Sequence, residues 1–307
     1  MSLVSVVIAC YNHGRFLPAA LESVLAQDYA EIELIVVDDG STDETPAAAG
    51  HYPAIRYLRQ ENQGSGAAKR HGLEASAGTF LMFLDADDTL LPGAVESLVR
   101  CLEERPDCAY SYGHQQFIDD AGVVITSRPR RAERYQMCIR DDPYRHMLRT
   151  NHPIRVSGAV CYRTELLRRS GGHAVDLEGA EDLDVNLRLA REHPICCNDR
   201  IVLSYRVHAA NSSRRFVPMM RGAIRTQRRQ RAFVTEHPNY ENDYREGLKL
   251  AQTYWGTNVA REVLVKARAG EVRAALADLA VLGRYAPRAG AVALFQLALG
   301  RGTAQAG

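Results

Sequence analysis

Apolar side chains in the N-terminal third of the chain come in short unbroken runs, each ending in a polar or glycine-rich turn. Residues 4–9 are a β-branched run, which predicts a strand buried on both faces. After the turn Tyr11-Asn12-His13-Gly14, Pro18 stands near the start of a helix with Leu17, Leu21, Val24 and Leu25 at helical spacing. Residues 34–37 predict a second buried strand, stopped by Asp38-Asp39-Gly40-Ser41-Thr42-Asp43, and residues 55–58 a short third. Residues 64–75 read as a helix that Gly78 is placed to end, and residues 80–84 as a fourth strand running into Asp85-Ala86-Asp87-Asp88.

Strands alternating with helices through short connections predict an α/β domain with a doubly wound, mostly parallel sheet. Ligands of such sheets bind beyond the carboxyl ends of the strands, where the acidic and glycine-rich segments fall. A helix is expected over 90–108, with Val95, Leu98, Val99 and Leu102 inward, Asp88 as its cap and Pro106 closing it. Residues 109–160 show little regular period before a strand at 157–162. An arginine-rich stretch there (Arg128, Arg130, Arg131, Arg134) is expected in a loop. Leu183, Val185, Leu187 and Leu189 alternate like a strand, but acidic residues at the start of the segment and Arg188 and Arg191 near its end predict a helix over 181–191. A strand at 201–207 follows. Beyond Asn211 the pattern is helical to about residue 299, an appendage without internal repeats.

Composition narrows the class. With 307 residues, 46% hydrophobic and 24% charged, the chain can bury a full core and is not globally disordered. A formal net charge of +1 gives no global pull toward nucleic acid. Seven cysteines without a C-x-x-C pair argue against a disulfide framework and a zinc knuckle, and reduced thiols in a cytoplasmic protein are expected. The chain enters a strand almost at once, so no signal peptide is expected. The apolar run 291–299 carries Gln296 and is too short to span a bilayer.

Asp85 and Asp87, two positions apart after a buried strand, can converge on one hard cation such as Mg²⁺ or Mn²⁺, which shares its shell with substrate phosphates. A solvated turn explains the same tetrapeptide. Asp39 could accept from a nucleobase N–H or a ribose hydroxyl, or form an Asx turn. Gly64-Ser65-Gly66-Ala67-Ala68-Lys69-Arg70 permits close backbone approach to a ligand, but its spacing fits neither the dinucleotide fingerprint nor the P-loop. Lys69 and Arg70 could reach a nucleotide or be solvated helix positions.

Taken in order, several segments resemble the inverting family 2 glycosyltransferases of the GT-A fold over roughly residues 3–213. They are Ala9-Cys10-Tyr11-Asn12, 37–43, 62–70, 83–88, Gly179-Ala180-Glu181-Asp182 and Tyr205-Arg206-Val207-His208. The resemblance implies a catalytic domain over 1–213, with a nucleotide-sugar half at about 1–108 and an acceptor half at about 109–213, and a helical region over 214–307. It implies that Tyr11 stacks on the base, with Ala9 and Asn12 in the same pocket. Asp39 would read a uracil beside Arg70. Asp85, with Ala86, would meet the ribose and share the metal, and Asp87 would be the direct metal ligand. His208 would face the metal or diphosphate, Asp182 would be the general base and Glu181 would lie on the acceptor side.

The expected reaction is metal-dependent transfer from a UDP-sugar to a hydroxyl acceptor, on a glycan or lipid carrier, during cell-surface glycan assembly. A single base suffices for direct displacement, which inverts the anomeric centre. The rival reading is a nucleotide-sugar-binding protein of the same fold without chemistry. Arg221, Arg225 and Arg228 share a helix face in an arginine-rich stretch. A solvated basic face is the plainer reading, and peripheral contact with the inner membrane face the functional one. Nucleic acid is not an expected partner. The Ala/Leu-rich tail (Leu279, Leu282, Tyr285, Val292, Leu294, Phe295, Leu297) could pack within the chain or form a homodimer.

Overall fold

The computed structural model describes residues 1–126, 142–151 and 157–298. The arginine-rich stretch at Arg128, Arg130, Arg131 and Arg134, together with Cys138, lies outside them.

The N-terminal strands and helices are β1 (Val4–Cys10), α1 (Leu17–Leu25), β2 (Ile32–Asp38), α2 (Thr45–Gly50), β3 (Arg56–Arg59), α3 (Ser65–Ala75) and β4 (Phe80–Asp85). There follow β5 (Thr89–Leu90), α4 (Ala94–Glu104), β6 (Tyr110–Ile118), β7 (Val124–Thr126), α5 (Pro143–Thr150), β8 (Val160–Arg163), α6 (Thr164–Arg169), α7 (Glu181–Ala190) and β9 (Cys196–Arg206). The sheet runs β3-β2-β1-β4-β8-β6-β9-β5, with β7 pairing to β6. Its first four strands are mutually parallel, β6 and β9 are also parallel, and β8 is wedged antiparallel between β4 and β6. This is a mixed, largely parallel α/β sheet, as the strand–helix alternation predicts.

Val4, Val6, Ile8, Leu34, Val36, Phe80, Met82 and Leu84 share one core with Leu17, Leu21 and Val24 of α1 and with Val95, Leu98, Val99 and Leu102 of α4. Side chains on both faces of β1 are buried, so its pattern is continuous rather than alternating. At ~25 cal/mol per Å² of apolar surface removed from water, each fully buried Leu or Ile contributes about 1.5–3 kcal/mol.

Several local expectations change. Leu25 is exposed, because the helix turns it away from the face that buries Leu17, Leu21 and Val24. Gly78 does not end α3. It packs against β1, where its N–H donates to Ser5 Oγ and an added Cβ would meet the Ser5 nitrogen at 2.5 Å. Asp88 is not a helix cap either. The chain first makes β5, and α4 starts only after Gly93, which is left-handed at φ 72°. Region 109–160 contains a nine-residue strand, β6, missed because Gly113, His114, Gln115 and Gln116 interrupt its apolar pattern.

Two compact units are present, one of residues 1–144, 152–176 and 181–209, the other of 145–151, 177–180 and 210–307. In the second, α8 (Phe216–Arg229), α9 (Arg231–Glu236), α10 (Glu241–Arg268), α11 (Val272–Tyr285) and α12 (Pro287–Ala298) bury Met220, Ile224, Val259, Val263, Leu282 and Tyr285 together. Gly247 lets α10 approach residue 148, since a Cβ there would lie 1.8 Å from the Leu148 carbonyl oxygen. Arg221, Arg225 and Arg228 are exposed on α8, as are Leu279, Val292 and Phe295 on α11 and α12. No helix among the described residues is long and apolar enough to cross a membrane.

Candidate active site

Strand register assembles the site. Ala9 lies beside Val37 and Asp85, and Cys10 beside Asp38, so β1, β2 and β4 release their loops along one edge. Asn12, left-handed at φ 55°, ties two of these loops: its N–H donates to Ser41 Oγ, and its Oδ1 accepts from the Thr42 N–H. Tyr11 beside it stays 47% exposed, offering an uncovered ring at the loop tip. Ala86, by contrast, is buried in the core.

Buried Asp38 accepts from the Ser41 N–H and from the Tyr57 hydroxyl, which closes the turn after β2. Asp39 holds the loop before α3. Its Oδ1 accepts from Gln60 Nε2 and the Gln63 N–H, and its Oδ2 from the Gly64 N–H at 2.8 Å. Gly64, at φ 89°, makes the turn into α3. Arg70 points along α3 toward the Gly171 carbonyl, 3.4 Å from its Nη2.

Its neighbour Lys69 faces inward instead. The buried ammonium donates to Ser157 Oγ at 2.8 Å and Asp182 Oδ1 at 3.0 Å, and lies 3.7 Å from Glu181 and 3.9 Å from Asp85. Burial alone would push this amine toward neutrality, but the three carboxylates outweigh it and raise its pKa above the usual lysine value. Asp182 Oδ1 also lies 3.0 Å from His173 Nε2, and Oδ2 accepts from Ser157 Oγ at 2.6 Å. Burial favours the protonated acid, yet Lys69, His173 and Ser157 together hold the Asp182 carboxyl well below the usual carboxylate range. Burial raises Asp85 to about 6, with Lys69 opposing and Asp87, Asp182 and Glu181 adding. His173, packed edge-on against Phe83, is kept neutral by burial.

A second cluster lies where β4 and β9 end. Asp87 Oδ2 is 2.9 Å from His208 Nε2, and one ligand atom each from His13, Asp87 and His208 lies within 4.8 Å of the others. Asp85 is not in this group. Burial lowers the pKa of His13, with Asp87 opposing, so the imidazole is available as a neutral donor. Arg206 braces the cluster from behind. Its backbone N–H donates to Asp88 Oδ1, its Nε to the Asp87 carbonyl, and its Nη1 to the carbonyls of Asp119 and Asp120. One carboxylate with two imidazoles suits a divalent first-row ion such as Mn²⁺, so the residues present fit a metal.

The structure therefore divides the sequence-derived residues between two foci. Asp182, Glu181 and Asp85 gather on Lys69, while Asp87 and His208 meet His13. Tyr11, Asn12 and Asp39 stand on the adjoining loops. Sequence reasoning did not single out His13, His173 or Ser157. His13 had a signal, its place in the loop after β1 at the edge where Asp39 and Asp85 fall. His173 lies in a segment without a pattern. Ser157 opens the expected strand at 157–162, where a 3-10 turn over Ser157–Ala159 forms instead and the strand starts at Val160.

Comparisons with known proteins agree with this architecture. EpsH of Bacillus subtilis, named as a glycosyltransferase, is 29% identical over 259 residues, 80% of this chain and 72% of its own length. Other relatives are longer: the chain spans 35% of the length of an uncharacterized glycosyltransferase of Rickettsia felis, at 29% identity over 69% of this chain. Among solved structures, S. aureus TarS 1–349 in complex with UDP-GlcNAc superposes with a TM-score of 0.60 at 17% identity, covering 97% of this chain and 92% of that one. The mannosyltransferase PcManGT of Pyrobaculum calidifontis, in complex with GDP-Man and Mn²⁺, also gives 0.60, at 21% identity over 98% and 87% of the chains. These two likenesses concern the fold. The glycosyl transferase family 2 model matches residues 5–171, more than half of the chain, and the protein is a glycosyltransferase belonging to that family.

Proposed function

We propose that the protein is an inverting, metal-dependent transferase that moves a sugar from a nucleotide-sugar, of the UDP class, to a hydroxyl acceptor in the assembly of a cell-surface glycan. The observation that carries this reading is the buried Lys69, which holds the donor-side carboxylate Asp85 and the base Asp182 around one ammonium. The donor lies over residues 1–108, the acceptor is bound from residues 109–213, and the 214–307 helices are an accessory region.

In this reading the exposed ring of Tyr11 stacks on the nucleobase, with Ala9 and Asn12 lining the same pocket. Asp39 Oδ2 carries one hydrogen bond and retains a lone pair for a base N–H. Asp85 accepts from the ribose. Asp87 and His208, joined by His13, would hold Mn²⁺ or Mg²⁺, which would neutralise charge growing on the departing diphosphate. TarS and PcManGT, solved with UDP-GlcNAc and with GDP-Man and Mn²⁺, support a nucleotide-sugar donor and a metal.

The base is assigned by access and by lone pairs. The Asp182 side chain is 23% exposed and that of Glu181 7%, so Asp182 can meet an incoming hydroxyl, with Glu181 behind it on the acceptor side. Among the described residues, Asp182 Oδ2 accepts only the Ser157 hydrogen bond and has room for a proton. The acceptor oxygen attacks the anomeric carbon as its proton passes to Oδ2. The anomeric C–O bond to the diphosphate breaks on the opposite face, the nucleoside diphosphate leaves, and the centre inverts. Lys69 and His173, both on Oδ1, keep the carboxylate ionised and aimed.

Purified protein should be screened against UDP-, dTDP- and GDP-sugars with and without Mn²⁺, by calorimetry and by donor hydrolysis. Metal-dependent binding of one class with slow hydrolysis is expected. Binding without metal, or hydrolysis that persists undiminished in both Asp87→Asn and Asp182→Asn, would overturn the assignment.

A further inference from the structure

Toward the N-terminal end of β9, away from His208, three different ligand types converge on the β6–β9 pair. The ligand atoms of His114, Cys197 and Asp199 lie within 4.8 Å of one another. His114 and Cys197 are buried, while Asp199 reaches solvent. His114 Nε2 is 2.9 Å from Asp199 Oδ1, and the Asp199 N–H donates to Cys197 Sγ at 3.4 Å.

The backbone is shaped to bring them together. The β6–β9 register slips on both sides of His114, between Tyr112 and His114 and again between His114 and Gln115. Such irregularities re-aim a side chain that regular pleating would send elsewhere. Asp199 has φ 53°, a left-handed conformation that costs energy for a residue with a Cβ. The turn is held by Asn198, which donates to Ser97 Oγ and accepts from the Arg200 N–H. A His–Asp ion pair alone would need neither the thiol nor this backbone.

We propose that His114, Cys197 and Asp199 form a second metal site, for a borderline-soft ion of the zinc class, with a fourth position open to water. Thiolate and imidazole together select Zn²⁺ over Mg²⁺ or Mn²⁺, so this site and the Asp87 cluster discriminate between ions by ligand type. Bonds of about 2.0–2.3 Å fit among atoms this close once the ion takes the place of the His114–Asp199 hydrogen bond. On binding, Cys197 releases its thiol proton to solvent, and the His114 proton resides on Nδ1 so that Nε2 can ligate. The backbone N–H of Asp199 then supports the thiolate from outside the first shell.

Cobalt(II) tests this on the intact, metal-stripped protein, because a thiolate ligand gives a sulfur-to-cobalt charge-transfer band that the Asp87, His13 and His208 cluster cannot give. The wild type should develop the band and lose it when Zn²⁺ is added. Cys197→Ser should abolish it, and Asp87→Asn should leave it intact. Asp199→Asn, at a solvent-exposed side chain, should keep the fold by circular dichroism and weaken Co²⁺ and Zn²⁺ binding by at least about tenfold, the size that even outer-shell losses produce. A wild type without the band, a band undiminished in Cys197→Ser, or unchanged Zn²⁺ affinity in Asp199→Asn would overturn the proposal.

Discussion

The two foci of the active site are built from the same starting material, aspartates released at the ends of buried strands, yet their partners make them opposites. Asp85 and Asp182 face a buried ammonium that comes with the fold. Asp87 faces imidazoles, groups that offer nitrogen lone pairs to a metal. A carboxylate bound to lysine is already neutralised and is held in place. A carboxylate among imidazoles offers a ligand set for a mobile cation. In the proposed reaction, partner identity, not the aspartate, assigns proton chemistry to one focus and the charged leaving group to the other.

The sharpest way to break this contrast is at the proton-accepting end. Asp182→Asn keeps the shape but removes the acceptor, and turnover is expected to fall by ~10²–10⁴-fold with donor affinity retained. Steady-state kinetics beside calorimetric titration of the nucleoside diphosphate separate the two effects.

Removing the fixed cation should come next. Lys69→Met leaves Asp182 and Glu181 buried without their counter-charge, a loss of about 3–5 kcal/mol near neutral pH by chemical denaturation. Asp182 is held below its unfolded pKa, so its share of stability exists above about pH 4 and is lost as pH falls. The gap between wild type and variant should therefore narrow in acid. The acid limb of kcat/KM should also move to higher pH, because Lys69 no longer depresses Asp182.

At the other focus, Asp87→Asn and His208→Ala should weaken Mn²⁺-dependent nucleotide binding by about 10–100-fold, read by Mn²⁺ paramagnetic resonance. His13→Ala should act in the same direction, and an unchanged Mn²⁺ affinity would remove it from the ligand set.

The smallest effect is expected for His173→Gln. Burial lowers the His173 pKa, so it stabilises the fold above about pH 6.5 and that contribution is lost as pH falls through the folded value. The variant should be less sensitive to pH below about 6.5 than the wild type, by thermal unfolding at several pH values.

Much of this was legible in the residues. β1, β2 and β4 announce themselves as unbroken apolar runs because strands buried on both faces have no polar side to show. The alternating leucines of α7 could have passed for a strand, and the acidic start and basic end identified the helix, since charge at helix ends follows the backbone dipole. β6 was not legible, because its interruption at Gly113-His114-Gln115-Gln116 reflects register slips and cross-strand partners rather than its own propensity. Asp88 looked like a helix cap for lack of any hint that two residues of strand would intervene.

The family, the largely parallel sheet, and the edge at which Tyr11, Asn12, Asp39, Asp85 and Asp87 emerge can be read from the residues alone, because they follow from local hydrophobic period and from motifs read in order. Which aspartate meets which partner is set instead by long-range packing. Lys69 lies 113 residues from Asp182, and His208 lies 121 from Asp87. Such pairings depend on how β8 and β9 insert into the sheet, and no local pattern encodes them. Lys69 and Arg70 are adjacent and similarly charged, yet one is a buried hub and the other reaches toward a loop carbonyl. Successive helix residues point about 100° apart, and only packing decides which of the two faces the core.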